Sequence, residues 1–149
     1  MRDLSSNLTP SFSIDPVSSN SNANGAAIDV RGFQGALVEA LNGIGGITFN
    51  GSNKVEFKLE HSDTTTSADF TAVAAGDILL GTGCDATLGA GGIFRSLIVA
   101  QAAGAIARAS YLGIKRYIRV VVTFTGTHGT VTPIAALIHR GKAANSPVT

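Results

Sequence analysis

Three consecutive residues, His61, Ser62 and Asp63, carry the side chains of a hydrolytic triad. In a working triad the hydroxyl, the imidazole and the carboxylate converge from separated parts of the chain. Successive residues of an extended segment point to alternate faces, so these three side chains cannot relay a proton to one another. We interpret the trio as the turn after a strand and expect no catalytic role for it.

Two glycine-rich stretches, 81–83 and 89–92, could in principle cradle a phosphate. The first lacks the third glycine of the dinucleotide-binding motif, and the second is not followed by the Lys-Ser/Thr of a P-loop. The three histidines are isolated, and a single cysteine gives no zinc-binding spacing. The sequence therefore predicts a protein that is not an enzyme and that uses no cofactor and no metal.

The strongest local pattern is a set of basic residues with tyrosine among them. Such a mixture can bind nucleic acid, but with two tyrosines and no tryptophan a base-stacking platform is thin, and nucleic acid is disfavoured. Two interpretations remain open: the cations solubilise strand edges, or they pair with an acidic protein surface. We predict a partner interface formed by this set and two apolar residues near the N-terminus, namely Phe12, Ile14, Arg108, Tyr111, Lys115, Arg116, Arg119, Arg140 and Lys142.

Charges are divided between the two halves of the chain. All ten acidic residues lie between Asp3 and Asp85, where four basic residues accompany them, so this half has a net charge of −6. The remaining residues, 86–149, hold seven basic residues and no acidic one, a net charge of +7. The two halves can pair with opposite partners or with each other, which favours assembly over catalysis.

The composition is typical of a surface that is partly covered by protein. Only 14% of the residues are charged, against roughly 25% in an ordinary soluble domain, and 44% are hydrophobic. A length of 149 residues fits one domain. No apolar stretch approaches the roughly 20 residues that span a bilayer, and residues 1–25 lack the pattern of a secretion signal. We therefore expect no membrane association and assembly in a reducing cytoplasm.

Residues 1–25 have few apolar side chains scattered among Ser, Asn and Pro, too few to fold alone. They form either a frayed terminus or an extended arm that docks Phe12 and Ile14 on a neighbouring subunit by adding to a sheet edge. The predicted organisation is a flexible or docking N-terminal arm at 1–25, a single β-sandwich domain at 26–142 and a C-terminal tail at 143–149.

Alternating hydrophobicity predicts strands in the rest of the chain. From Lys54 to Glu60 three apolar residues alternate with four charged ones, and residues 116–125 show a similar alternation. Residues 126–129 are typical of a hairpin loop, with the returning strand at 131–139. Further strands are predicted at 26–31, 37–41, 69–73, 92–99 and 105–111, although 35–41 and 96–112 also allow helices. Short strands with Gly-rich turns predict an all-β fold, an antiparallel, jelly-roll-like β-sandwich with an extended N-terminal arm.

Three segments resemble landmarks of a known family in their order and spacing. They are Ala26-Ala27-Ile28-Asp29-Val30-Arg31-Gly32-Phe33, Phe57-Lys58-Leu59-Glu60-His61-Ser62-Asp63 and Tyr111-Leu112-Gly113-Ile114-Lys115-Arg116-Tyr117-Ile118-Arg119-Val120. Together they are similar to the small virion proteins of tailed bacteriophages known as capsid decoration, cement or head-stabilising proteins. The resemblance covers residues 26–140. It implies a jelly-roll-like sandwich that sits on the outside of an icosahedral head as a dimer or trimer and clamps neighbouring capsid subunits.

The residues and the resemblance lead to the same functional hypothesis. We expect a structural virion protein that binds the outer surface of a phage head and cements neighbouring major capsid subunits through apolar and charge-complementary contacts. Its partners are then the major capsid protein and further copies of itself, as a homodimer or trimer. The alternative is a carbohydrate- or receptor-binding sandwich of a phage tail or surface appendage.

Overall fold

The computed structural model describes residues 5–143, and residues 1–4 and 144–149 lie outside this range. Of the predicted tail at 143–149, only Ala143 is described, as the last residue of a strand. The described chain is an all-β sandwich of two antiparallel sheets, as predicted. Its strands are β1 (Leu8–Ser19), β2 (Ala23–Asn24), β3 (Ile28–Asp29), β4 (Phe33–Asn42), β5 (Lys54–Ser62), β6 (Thr71–Ala72), β7 (Ile78–Leu80), β8 (Ile93–Leu97), β9 (Ala105–Tyr111), β10 (Tyr117–Thr125) and β11 (Thr132–Ala143).

One sheet has five strands in the order β1-β11-β4-β9-β7. The other has six strands, with β2-β10-β5-β6 as its path, β3 beside β10 and β8 beside β5. Three short 3-10 turns, Ser5–Asn7, Ser67–Asp69 and Ala75–Asp77, complete the regular structure of the described residues.

The core lies between the sheets and follows from the alternation in the sequence. In β5, Val55, Phe57 and Leu59 are almost completely buried, and the charged residues between them face outward. In β10 the inward residues Ile118, Val120 and Val122 are all fully buried. The segments that also allowed helices form β4, β8 and β9, because their alternate residues are needed on the inner face of a sheet.

The predicted hairpin across residues 126–129 is wrong. Strand β10 pairs with β5 over nine residues, from Tyr117 to Thr125, whereas β11 pairs with β1 and β4 in the other sheet. Residues 126–131 therefore cross from one sheet to the other. The two strands face each other across the core because each has an apolar side that has to be buried. Packed sheets are about 10 Å apart, and a connection of six residues is long enough to span that distance.

The N-terminal segment is extended, as predicted, but part of it belongs to the sandwich itself. Strand β1 lies on the edge of the five-stranded sheet and pairs with β11 of the same chain from Leu8 to Ser19. Ile14 is buried in the core, while Phe12 remains 45% exposed. Neither alternative for this segment, a frayed terminus or an arm docked on a neighbouring subunit, describes residues 8–19, which pair within one molecule. The sandwich therefore begins well before residue 26.

Candidate interaction surfaces

Two of the predicted basic residues, Lys115 and Arg116, lie at one end of the sandwich. This end is formed by loops 30–32, 63–66 and 112–116 and is called here the charged end. Arg116 donates to Asp29 from Nη2 at 2.7 Å and from Nε at 3.1 Å. Lys115 forms an ion pair with Asp63. The Arg116 hydrogen bond lowers the pKa of Asp29, and the Lys115 hydrogen bond lowers the pKa of Asp63. Both carboxylates therefore remain ionised to lower pH than usual.

Two further basic residues are paired on the outer faces of the sheets. On the six-stranded sheet, Arg119 lies opposite Glu60, with Nη2 2.7 Å from the carboxylate, and its guanidinium stacks 4.2 Å from the ring centre of Phe70. On the five-stranded sheet, Arg108 donates from Nε to Glu39 at 2.9 Å, and His139 lies 2.8 Å from the same carboxylate. Arg108 keeps 56% of its side chain exposed.

These contacts explain the charge division of the sequence. Four lysines and arginines of the second half, at positions 108, 115, 116 and 119, each pair with an acidic residue of the first half. The acidic and basic halves therefore meet within one molecule, one of the two outcomes that the sequence allowed. A cation that is already paired gains less electrostatic free energy from a second acidic partner. The predicted interface with an acidic protein surface would therefore bind more weakly than the charges in the sequence suggest.

The other predicted interface residues lie in different parts of the structure. Arg140 lies between the sheets, where it donates to the carbonyl of Asp29 and to Ser11 Oγ and stacks over the Phe33 ring. Lys142 is exposed at the end of β11 with a φ of 52°. The structure thus brings Lys115 and Arg116 together and leaves the rest of the predicted set distributed over several surfaces.

Tyr111 is buried, and its role is internal. Its hydroxyl lies 2.9 Å from His61 Nδ1 and accepts a hydrogen bond from the Lys115 N–H at 3.1 Å. The Tyr111 hydroxyl and the neutral His61 ring share one hydrogen bond, and the tautomer of the ring sets which of the two groups donates. Burial lowers the pKa of His61 and raises the pKa of Tyr111, so both groups are neutral at physiological pH. The pair fixes loop 112–116 to the six-stranded sheet.

The opposite end of the sandwich has no charge on its connecting loops and is called here the uncharged end. Its loops are 20–22, 43–53, 98–104 and 126–131, and none of them contains Asp, Glu, Lys or Arg. Ile44 is 67% exposed there, Val99 is 64% exposed and Val131 is 44% exposed. The surface at this end is therefore uncharged and rich in glycine and small polar residues, with several exposed aliphatic side chains, whereas the other end carries ion pairs.

A groove of about 600 Å³ opens beside the uncharged end on the outer face of the five-stranded sheet. Its walls are apolar and include Val17, Leu41, Ile106 and Pro133, with Gly104 at one end. Its lining contains no ionisable side chain. The groove can accept an aliphatic side chain or a short apolar segment without burying an unpaired charge.

The uncharged end was visible in the sequence as four uncharged stretches between strands, a signal that the search for basic residues passed over. The groove had no such signal, because Pro16, Val17 and Pro133 reach Ile106 only through the pairing of β1 with β11. Among residues 5–143, no group of three or more His, Cys, Asp or Glu is placed to hold a metal ion. No helix in the described part of the chain is long and apolar enough to cross a membrane.

Comparisons with known proteins give only distant similarities. No family model matches the chain, and no curated protein matches it. Among solved structures it is similar to the SPBc2 prophage-derived protein YomS, at 10% identity and a TM-score of 0.43 over 89% of this chain and 92% of that one. It is also similar to the VP2 subviral particle of infectious bursal disease virus, at 12% identity and a TM-score of 0.27 over 93% and 41% of the two chains. The catalytic domain of a GH87 α-1,3-glucanase gives 9% identity and a TM-score of 0.26 over 95% and 29%. With TM-scores below 0.5, none of these likenesses bears on function.

Proposed function

We propose that this protein is a structural, non-enzymatic virion protein that attaches to the outer surface of a phage head through its uncharged end and cements neighbouring major capsid subunits. The observation that carries the proposal is the contrast between the two ends. The loops of the uncharged end carry no charge and expose Ile44, Val99 and Val131. The charged end also exposes Leu112 and Ile114, but there they lie among solvated ion pairs. In this orientation the uncharged end faces the capsid protein and the charged end faces water.

The energetics of attachment favour this orientation. Contiguous exposed apolar surface marks protein interaction sites, and burying it stabilises a complex by about 25 cal/mol per Å² before the costs of association. A head presents many equivalent sites, and the contacts of all the bound copies add up. Each copy therefore needs to contribute only a modest contact. The resemblance to decoration proteins in the order of three sequence segments supports the same function.

The receptor-binding alternative requires aromatic side chains that face outward as platforms for sugar rings. At the uncharged end the aromatic side chains are directed inward: Phe49 is 3% exposed, and Phe124 packs against the core with the His128 ring 5.0 Å away. This arrangement favours a protein partner with an apolar surface over a glycan.

The experiment is co-sedimentation with empty heads that were assembled without this protein. Ile44→Asp and Val99→Asp each place a carboxylate on the uncharged end, and we expect each to reduce binding by at least about tenfold. Leu79→Asp is the matched control, because Leu79 is 61% exposed on the edge strand β7, away from this end. Full binding by both end variants, or equal loss in the control, overturns the orientation. Absence of binding by the wild-type protein overturns the function.

A further inference from the structure

Loop 112–116 displays an isoleucine that makes almost no contact with its own molecule. Ile114 is 97% exposed, the largest exposure of any large hydrophobic side chain among residues 5–143. An aliphatic side chain held entirely in water is unfavourable unless another surface covers it. Leu112 beside it is 58% exposed, so the loop carries an apolar projection, called here the knob.

The knob is held in a fixed position by its neighbours. The N–H of Leu112 bonds to the carbonyl of Asp77 at 2.7 Å, and the N–H of Lys115 bonds to the Tyr111 hydroxyl. Gly113 lies against the Tyr111 ring, where a Cβ would come within 2.5 Å of the hydroxyl oxygen. Because the loop is already ordered, it loses little conformational entropy when it binds.

The groove at the opposite end of β9 has the complementary chemistry. Its walls are aliphatic and uncharged, and its volume of about 600 Å³ is large enough for the side chains of Ile114 and Leu112 together. The charges that flank the knob are neutralised within the molecule, Lys115 by Asp63 and Arg116 by Asp29. Insertion would therefore bury apolar surface on both sides without burying an unpaired charge.

The knob cannot reach the groove of its own molecule. Strand β9 starts at the groove with Ala105 and ends at Tyr111, next to the knob, a separation of roughly 20 Å at 3.3 Å per residue. The chain's own knob is thus excluded as the occupant, and a second copy of this chain supplies an apolar projection of suitable size and chemistry.

We propose that the protein self-assembles head to tail, with the knob of one copy, Ile114 and Leu112, inserted into the groove of the next. Such a contact joins different surfaces of the two partners, so it produces a ring if the rotation closes and a filament if it does not. A two-fold dimer satisfies the same two surfaces when both knobs insert reciprocally. The contact fits either the dimer or the trimer that the sequence left open. It describes the free protein, because copies joined by the knob at one end and the groove near the other cannot all present their uncharged ends to a head.

The test uses three variants of the full chain in sedimentation velocity, without phage heads. Ile114→Asp removes the knob, and Ile106→Asp places a charge in the groove. Phe12→Asp is the control, because Phe12 is 45% exposed, close to the 44% of Ile106, and belongs to neither the knob nor the groove. We expect concentration-dependent assembly of the wild type and the control, and at least about tenfold weaker association for each of the other two. Circular dichroism and thermal melting establish that each variant is folded.

The decisive measurement is a mixture of Ile114→Asp with Ile106→Asp. The first variant keeps an intact groove and the second an intact knob, so together they form a 1:1 heterodimer that cannot grow further. A wild type that stays monomeric at high concentration, or folded single variants that still assemble, overturns the proposal. So does a mixture that fails to form the heterodimer. Head binding is measured separately with the monomeric variants, which makes this failure distinguishable from failure of the proposed function.

Discussion

Ser13 and Val120 join the two sheets of the sandwich through one hydrogen bond. The Oγ of Ser13 in β1 accepts from the N–H of Val120 in β10 at 2.9 Å, and the same hydroxyl donates to the carbonyl of Ala26 at 3.1 Å. Strand β10 is paired with β2 at Val121 and Val122 and with β3 at Tyr117 and Ile118. Ser13 occupies the gap between these two short strands. An irregularity in β1 between Phe12 and Ile14 turns Ser13 toward β10.

Ser13→Ala tests this link. The substitution leaves the buried N–H of Val120 without its acceptor, and an unsatisfied buried group costs about 1–3 kcal/mol. We expect the free energy of unfolding in urea to fall by about 2 kcal/mol, within that range. Ser18→Ala, an exposed serine of the same strand, should leave the unfolding midpoint unchanged. An equal loss in both variants would show that the Ser13 hydroxyl has no special role.

Gly25 allows the close approach on which the same link depends. A Cβ at this position would lie 2.5 Å from the carbonyl oxygen of Val120 and even closer to Ser13 Oγ. Gly25→Ala should therefore force β2 away from β10 and lower the free energy of unfolding by about 1–3 kcal/mol, the usual cost of overpacking. Gly51 has nothing within 4 Å of a Cβ, so Gly51→Ala is the control and should be neutral. Urea denaturation of the two variants separates steric crowding from a general effect of losing a glycine.

The strands of the core could be predicted from sequence because each one carries its own pattern. Val55, Phe57 and Leu59 alternate with charged residues, and this alternation requires one buried face whatever strand lies beside it. The pairing partners depend on the whole fold. The turn-like composition of residues 126–129 fits a hairpin as well as a crossing between sheets, and only the ladders of β10 with β5 and of β11 with β4 decide between them.

For the candidate interface, the sequence identified the basic residues but not the acidic residues that they pair with. The cations at positions 115 and 116 were identified as a cluster, but their partners Asp63 and Asp29 lie more than 50 residues away in the chain. Because no local pattern joins them, the sequence left open whether the two charge halves meet within one molecule or between molecules. For the same reason the sequence left the N-terminal segment as either a frayed terminus or an arm docked on a neighbouring subunit, since its pairing partner β11 is at the other end of the chain.

The ion pairs should differ in their contribution to stability according to burial. The side chain of Arg119 is 9% exposed and that of Glu60 is 20% exposed, so Arg119→Ala removes one partner from a largely desolvated pair. We expect it to lower the free energy of unfolding by about 3 kcal/mol. The exposed pair of Lys115 and Asp63 is screened by water, and Lys115→Ala should leave the urea midpoint nearly unchanged. Equal effects of the two substitutions would contradict this interpretation.

His61 should make stability depend on pH in a defined window. Burial lowers its pKa in the folded protein below the ordinary value of 6.5, whereas the unfolded chain takes up the proton near that value. The unfolded state then binds more protons below pH 6.5, so the free energy of unfolding should fall as the pH falls through 6.5, until the folded pKa is reached. Urea unfolding between about pH 8 and 5.5 measures this slope. His61→Gln should lose this contribution to the slope. His139→Gln, on the outer face of the five-stranded sheet, should keep the contribution of His61.

Attachment to heads through the uncharged end should resist salt. Raising the salt concentration from 0.1 M to 1 M shortens the screening length from about 10 Å to about 3 Å, which weakens contacts between exposed charges and leaves apolar contacts largely intact. The loops at 43–53, 98–104 and 126–131 contain no Lys, Arg, Asp or Glu, so no ion pair formed by them is available to be screened. The dissociation constant for empty heads should therefore change less than about threefold over this range, well under the tenfold that 1.4 kcal/mol represents. Release of the protein at 1 M salt would instead assign attachment to cations such as Arg108, whose side chain is 56% exposed on the five-stranded sheet.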